Sequence, residues 1–226
     1  KNDDGTFVRP SHAALMVDHS KDGSIYKGLA ISTNRTGGNY LYAADFGRSR
    51  IEIFDKNFQP VQIEGGFAKP AGVPADYAPF NIQNIGGLLY VAYARLTKEP
   101  GEEEQGAGLG YIAVFNSEGK LVRELEGAGA LDAPWGLAMA PINFGEASGK
   151  LLVGNFGDGR IVIYDLNSGK QTGVLNTAEG KPLEIDGLWG LIFGNGESLG
   201  EANALYFTAG PDDEKDGVFG KITAIP

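Results

Sequence analysis

Short runs of alternating apolar and polar residues dominate the sequence, and they recur with a regular period. Four of these runs begin with an aromatic residue, at intervals of 54, 55 and 54 positions: Tyr26, Phe80, Trp135 and Trp189. Alternation with β-branched and aromatic residues is typical of strands, and no stretch of any length keeps the spacing of a helix. The pattern therefore predicts a structural repeat of about 54 residues.

Each repeat contains further strand-like runs. The second runs begin at Leu41, Leu89, Leu151 and Leu205, and the third at Arg50, Tyr111, Arg160 and Lys221. In three repeats a fourth run follows an Asn/Asp/Gly turn of the hairpin type, at 60–63, 121–125 and 172–175. Four antiparallel strands per repeat predict an all-β fold, a β-propeller with about four four-stranded blades. The aromatic starts are expected to wedge between blades, which places Trp135 and Trp189 in the core.

The repeat predicts one propeller domain over residues 1–226, with a partial blade at 1–25 and blades from about 26, 80, 135 and 189. Residues 5–8 and 13–17 are predicted to be the third and fourth strands of an earlier blade. The last repeat stops after its third strand. Either residues 13–17 close a four-bladed ring by completing the last blade, or further blades precede the chain, and we expect the second.

Composition narrows the classes of partner and chemistry. The 226 residues carry 29 acidic and 19 basic side chains, a net charge of −10, which argues against nucleic acid or an anionic membrane as the main partner. No segment is apolar enough to cross a bilayer, and no signal peptide is expected in the chain from Lys1 onward. Cysteine is absent and histidine occurs only at positions 12 and 19, which argues against a zinc site or a cysteine nucleophile.

Several long motifs resemble a known family. They are residues 77–87, 148–161, 185–196 and 205–214, and the resemblance extends from about Val17 to Pro226. It is to uncharacterised, exported bacterial proteins related to NHL-repeat propellers, some of which end in a protein-sorting tail. The resemblance implies a six-bladed ring, blades upstream of this chain and an extracytoplasmic location, secreted or at the cell surface. It implies no established reaction.

Carboxylates recur where propeller loops gather on one face. Asp22, Asp76, Asp132 and Asp186 precede the aromatic starts by three or four residues, and the turns at 96–110 and 210–217 are long and acidic. The functional interpretation is a face that attracts cations; the structural one is that each Asp caps a loop between blades. We favour the structural interpretation for the recurring set, and we consider residues that break the repeat symmetry better candidates for a site.

Two groups of residues are candidate calcium ligands. Asn81, Asn155 and Asp186 are nominated for an axial metal, and Asp212, Glu214 and Asp216 alternate before a glycine, as the first half of a calcium loop does. The second half of that motif is missing, since its twelfth position is Thr223. Calcium is therefore a possible cofactor, and no catalytic residue is predicted.

Two functions from different classes remain open. The first is a binding or scaffold propeller whose acidic face meets a protein or glycan of the cell envelope or matrix, with a second chain as one way to complete the ring. The second, by analogy of fold, is a calcium-dependent lactonase-like hydrolase in which the metal polarises an ester carbonyl. We expect the binding function rather than an enzyme.

Overall fold

The computed structural model describes residues 13–224, which form four antiparallel sheets with almost no helix. The first sheet contains β1 (Tyr26–Thr33), β2 (Asn39–Asp45) and β3 (Arg50–Phe54). The second contains β4 (Tyr77–Ile85), β5 (Leu88–Leu96), β6 (Glu103–Glu104), β7 (Tyr111–Phe115) and β8 (Leu121–Glu124). The third contains β9 (Pro134–Met139), β10 (Leu151–Asn155), β11 (Ile161–Asp165) and β12 (Lys170–Val174). The fourth contains β13 (Leu188–Phe193), β14 (Ala204–Ala209) and β15 (Val218–Thr223).

Each sheet corresponds to one repeat, and we call the sheets blades 1 to 4 in chain order. The strands follow one another in the order of the sequence, except that the short β6 pairs with the end of β5. Blades 2 and 3 have the fourth strand that the sequence predicts, β8 and β12. The all-β architecture with one antiparallel sheet per repeat is thus confirmed.

Three predicted strands differ from the structure. Residues 60–63 contribute only an isolated bridge between Phe54 and Pro60, because proline has no N–H to continue a ladder. The last strand begins at Val218 rather than Lys221. Residues 13–17 form no strand, and residues 5–8 lie outside the described residues. The single domain and the upstream blades stay predictions.

The blades pack face to face because successive side chains of a strand point to opposite faces of its sheet. On β5, Val91 and Tyr93 join the core shared with blade 1, whereas Tyr90 and Ala92 join the core shared with blade 3. Blade 3 repeats the arrangement, and its Leu152 packs toward blade 4. Blades 2 and 3 are therefore buried on both faces.

The outer faces of the first and fourth blades carry exposed apolar side chains. Leu29 and Ile31 of β1 are 58% and 66% exposed, and Phe219 of β15 is 72% exposed. Among the described residues, no helix is long and apolar enough to span a membrane.

Candidate functional site

The candidate site lies at one end of the sheets, where the first strand of each blade begins and the second strand ends. The register shows this directly: Tyr26 pairs with Asp45, Tyr77 with Arg95, and Leu188 with Ala209. We call this end the turn face, and it consists of residues 45–50, 96–110, 155–160 and 209–217 with the segments leading into the first strands. The acidic turns singled out by the sequence lie on this face.

Aromatic rings from all four blades meet beneath the turn face. The indoles of Trp135 and Trp189 stand edge to face with ring centroids 5.3 Å apart. The ring centroid of Trp189 also lies 4.3 Å from that of Phe156 and 5.9 Å from that of Phe80. The ring centroid of Phe46, in blade 1, lies 5.2 Å from that of Phe80. Trp135 and Trp189 are only partly buried. The rings provide a rigid apolar floor at the axis.

Charged side chains border this floor. The Lys27 ammonium lies 5.6 Å from the centroid of the Phe80 ring and 3.8 Å from Oε2 of Glu103. The indole of Trp189 donates a 2.6 Å hydrogen bond to Oε1 of Glu214. Each blade thus contributes to one group, which we call the axial cluster: Lys27, Phe80, Glu103, Trp135, Trp189 and Glu214.

The Glu103 carboxylate has an unusual environment. Its side chain is 6% exposed, and its Oε2 atom accepts no hydrogen bond within the described part of the chain. Burial raises the pKa of Glu103, a hydrogen bond with its own backbone and the charge of Lys27 lower it, and the charges of Glu102 and Glu214 raise it further. The ion pair with Lys27 therefore compensates only part of the cost of burying this carboxylate.

The loop between β5 and β7 carries Glu103 and reaches from blade 1 to blade 3. At one end Gly101 packs against Ile25, where a β-carbon would lie 3.0 Å from Cδ1. At the other end the Gly106 amide donates a 2.7 Å hydrogen bond to Oδ1 of Asp132, a buried carboxylate whose pKa is raised by burial. The loop is anchored on both sides, which fixes the position of Glu103.

Glu214 is positioned by a strained turn. Asp212, Asp213 and Glu214 have φ values of 56°, 52° and 61°, so three consecutive residues other than glycine adopt the left-handed conformation. The turn closes through the Glu214 amide, which donates to the carbonyl of Gly210 at 3.1 Å. Such strain persists only where the surroundings enforce it, and it is common at functional sites.

A groove of about 220 Å³ adjoins the axial cluster along the inner strands. Trp135 belongs to both, because its ring lines the groove while its indole Nε1 donates to the carbonyl of Lys27 at 3.0 Å. The rest of the groove combines aliphatic side chains with aromatic and amide ones, including Tyr206, Phe219, Asn81 and Gln83. A ligand at the axis would thus meet both ring faces and polar groups.

The three residues nominated for an axial metal have separate partners. The Asn81 amide donates to the carbonyl of Trp135 at 2.7 Å, and the Asn155 amide donates to Ala130 and to Asp158. The exposed Asp186 accepts a 3.4 Å hydrogen bond from the Asp212 amide. The structure thus gives these side chains no common partner, and a calcium site formed by them stays a prediction.

The acidic turn also remains a predicted rather than an observed calcium site. Asp212 and Asp213 pair with Lys215 at 3.9 and 3.6 Å, while Glu214 turns toward Trp189. Among the described residues, no group of three or more His, Cys, Asp or Glu side chains could hold a metal ion. A calcium titration is the direct test.

Sequence reasoning did not select Lys27 or Glu103 individually. A signal was nevertheless present: the residue after the aromatic start is glycine in two repeats and Asn81 in a third, so Lys27 is the one charged residue among the four. Glu103 lies in the longest turn, where the sequence offers several acidic residues in a row. Which of them turns inward depends on the short β6, which pairs Glu103 with Leu96.

The chain is similar to long viral proteins of uncharacterised function. It is 39% identical over 224 residues to the uncharacterized protein R648, and 38% identical over 225 residues to L690, both of Acanthamoeba polyphaga mimivirus. Each alignment covers 95% of this chain but 52% and 56% of the viral proteins, so the chain spans about half the length of these curated relatives. No protein-family model matches.

A solved structure agrees with the architecture. A gluconolactonase from Xanthomonas campestris superposes with a TM-score of 0.51 and 16% identity, covering 85% of this chain and 61% of that one. The fold is a β-propeller. At this identity the similarity concerns the fold alone.

The expected membership of an exported bacterial family is wrong, because the matching relatives are mimivirus proteins. The motifs behind that expectation now have a physical explanation. Residues 148–161 contain β10 and its turn, and residues 185–196 contain β13, so these motifs encode blade geometry. They identify a propeller without identifying a lineage.

Proposed function

We propose that the protein is a non-catalytic binding propeller whose turn face takes a positively charged protein segment. The observation that carries the proposal is the axial cluster, where Glu103 pairs with Lys27 above the Phe80 ring and Glu214 accepts a hydrogen bond from the indole of Trp189. Around it, carboxylates outnumber lysine and arginine in the loops of the turn face. A face of this charge attracts basic partners and raises their rate of encounter.

The fold supports a binding role because its loops are held on a rigid scaffold. Ties such as Asp76 to Arg95 at 2.8 Å and Arg160 to Glu184 at 2.7 Å fix neighbouring loops to one another. These surface pairs add little stability, but they keep the face in one arrangement. A location outside the cytoplasm and a partner in the cell envelope stay predictions, and the bacterial resemblance no longer supports them.

Binding of a lysine- and serine-containing 20-residue peptide, measured by fluorescence anisotropy, tests the proposal. We expect saturable binding that weakens several-fold when salt rises from 50 to 200 mM, and none with the matching glutamate peptide. The double variant Asp213→Asn/Asp216→Asn, on the turn face, should weaken binding. The matched control Glu146→Gln/Glu197→Gln removes two exposed charges at the opposite end and should leave binding unchanged.

Equal effects of the two double variants would contradict the assignment to the turn face. Absence of any binding to the basic peptide would contradict the function itself. Calcium, added alone and followed by calorimetry, separates the calcium-dependent alternative, because heat of binding in the absence of peptide would favour it.

A further inference from the structure

The axial cluster already holds an ammonium group, that of Lys27. This ammonium faces a carboxylate at 3.8 Å and an aromatic ring at 5.6 Å. A carboxylate beside an aromatic face is the combination that binds organic cations. The protein's own side chain therefore shows which chemistry the cluster accommodates.

The contact between Lys27 and Glu103 is incomplete. At 3.8 Å it is an ion pair but longer than a hydrogen bond, and Oε2 of Glu103 is a buried acceptor without a donor in the described chain. Buried acceptors of this kind are costly, and a donor that reaches them is strongly favoured. Glu214 brings a second carboxylate, so Lys27 leaves the cluster with a net charge of about −1.

We propose that the axial cluster binds one primary alkylammonium group, the end of a lysine side chain, in the place that Lys27 occupies in the free protein. This inference rests on the proposed function and specifies the part of the basic partner that enters the axis. The incoming ammonium donates to Glu103 and Glu214, over the face of Phe80 and beside the N–H edge of the Trp189 indole. Lys27 then swings out toward solvent, so it acts as an internal competitor.

The chain supplies its own reporter, because its two tryptophans are both members of the axial cluster. The probe is the peptide acetyl-Gly-Lys-Gly-amide, titrated while tryptophan emission is recorded. We expect a saturable change with this peptide, and none with its Nε-acetylated form, which has no charge. The corresponding arginine peptide should bind at least several-fold more weakly, since its planar group does not match a site shaped around an ammonium.

Two variants act in opposite directions. Glu103→Gln should weaken binding of the lysine peptide about tenfold, whereas Glu197→Gln, an exposed residue at the opposite end of the sheets, should not. Lys27→Met should tighten binding about tenfold by removing the competitor while keeping the length of the side chain. If Glu103→Gln does not fold, Lys27→Met alone still decides the question.

An unchanged affinity in Glu103→Gln, an unchanged or weaker affinity in Lys27→Met, or equal binding of the arginine peptide would each overturn the inference. In those cases the longer basic peptide would still bind the turn face, and the proposed function would stand. If the longer basic peptide also fails to bind, both the inference about the axial cluster and the proposed function are wrong.

Discussion

At Gly28 the first strands of blades 1 and 2 approach too closely for a side chain. A β-carbon there would lie 2.9 Å from Cα of Asn81 and closer still to its amide oxygen. Because Cα belongs to the backbone of β4, the contact cannot be relieved by a rotamer change. We expect Gly28→Ala to lower the free energy of unfolding by about 1–3 kcal/mol, measured by urea denaturation.

The matched control for this substitution is Gly217→Ala. A β-carbon at Gly217 meets nothing within 4 Å, and this glycine is not left-handed. The control should therefore change stability by less than about 0.5 kcal/mol. A similar loss at both positions would show that the packing of the first strands does not depend on Gly28.

Glu103 should make the stability of the protein depend on pH. Its pKa is raised above the ordinary value of 4.5, chiefly by burial, so the folded state holds this proton more tightly than the unfolded state. Its favourable contribution is complete below pH 4.5 and is lost as the pH rises through the folded pKa. Glu103→Gln should thus be about 1 kcal/mol more stable than the wild type at pH 7 and equally stable at pH 4.

Thermal unfolding of both proteins at pH 4, 5, 6 and 7 measures this difference. Glu99→Gln is the control, because it makes the same substitution at an exposed position of the same loop. A gain in Glu103→Gln that is equally large at pH 4 would show that ionisation of Glu103 is not its source.

At the scale of elements, the left-handed turn before β15 stores conformational strain. Asp213 has a φ of 52°, and its side chain is 93% exposed, with a single ion pair to Lys215. Glycine adopts this conformation without steric cost, so Asp213→Gly should raise the free energy of unfolding by about 0.5–1 kcal/mol. Asp213→Val should lower it, because a β-branched residue fits this conformation poorly.

Chemical denaturation of the two variants checks the turn, and tryptophan emission adds a second test. Because Glu214 accepts from the indole of Trp189, Asp213→Gly should leave the folded-state spectrum unchanged if the turn keeps its shape. Stabilisation by valine, or no effect of glycine, would contradict a strained left-handed turn.

The sequence predicts an element well when the interactions that form the element are local in the chain. Strands such as β5 and β10 were predictable because alternation along a strand is a local pattern, and the repeat supplied their order. The strand predicted at 60–63 is wrong, because the prediction gave more weight to the apolar residues of the segment than to the proline at its start. The axial cluster was not predictable, since Lys27 and Trp135 are 108 positions apart and meet only through packing of the inner strands.

For the whole molecule, the packing of blades sets which strands open first. β5 and β10 are buried on both faces, whereas β1 exposes Leu29 and Ile31 on its outer side. Amide exchange follows local opening, so the amides of β5 and β10 should exchange slowest and those of β1 and β15 faster. Hydrogen exchange followed by mass spectrometry resolves these strands as separate peptides.

The hydrogen bond from Trp135 to the carbonyl of Lys27 links blade 3 to blade 1 across the axis, so its loss should have an effect that reaches beyond the neighbouring blade. Trp135→Phe keeps an aromatic ring but removes the donor, and we expect exchange in β1 to increase about fivefold, as the loss of about 1 kcal/mol would produce. Trp189→Phe removes a donor to Glu214 instead, so it should affect residues 210–217 and leave β1 unchanged.

If both variants alter hydrogen exchange in β1 equally, the blades are coupled by general packing of the rings. If only Trp135→Phe does, this single bond transmits stability between blades that are not neighbours in sequence, and it also holds the backbone of Lys27 in the axial cluster.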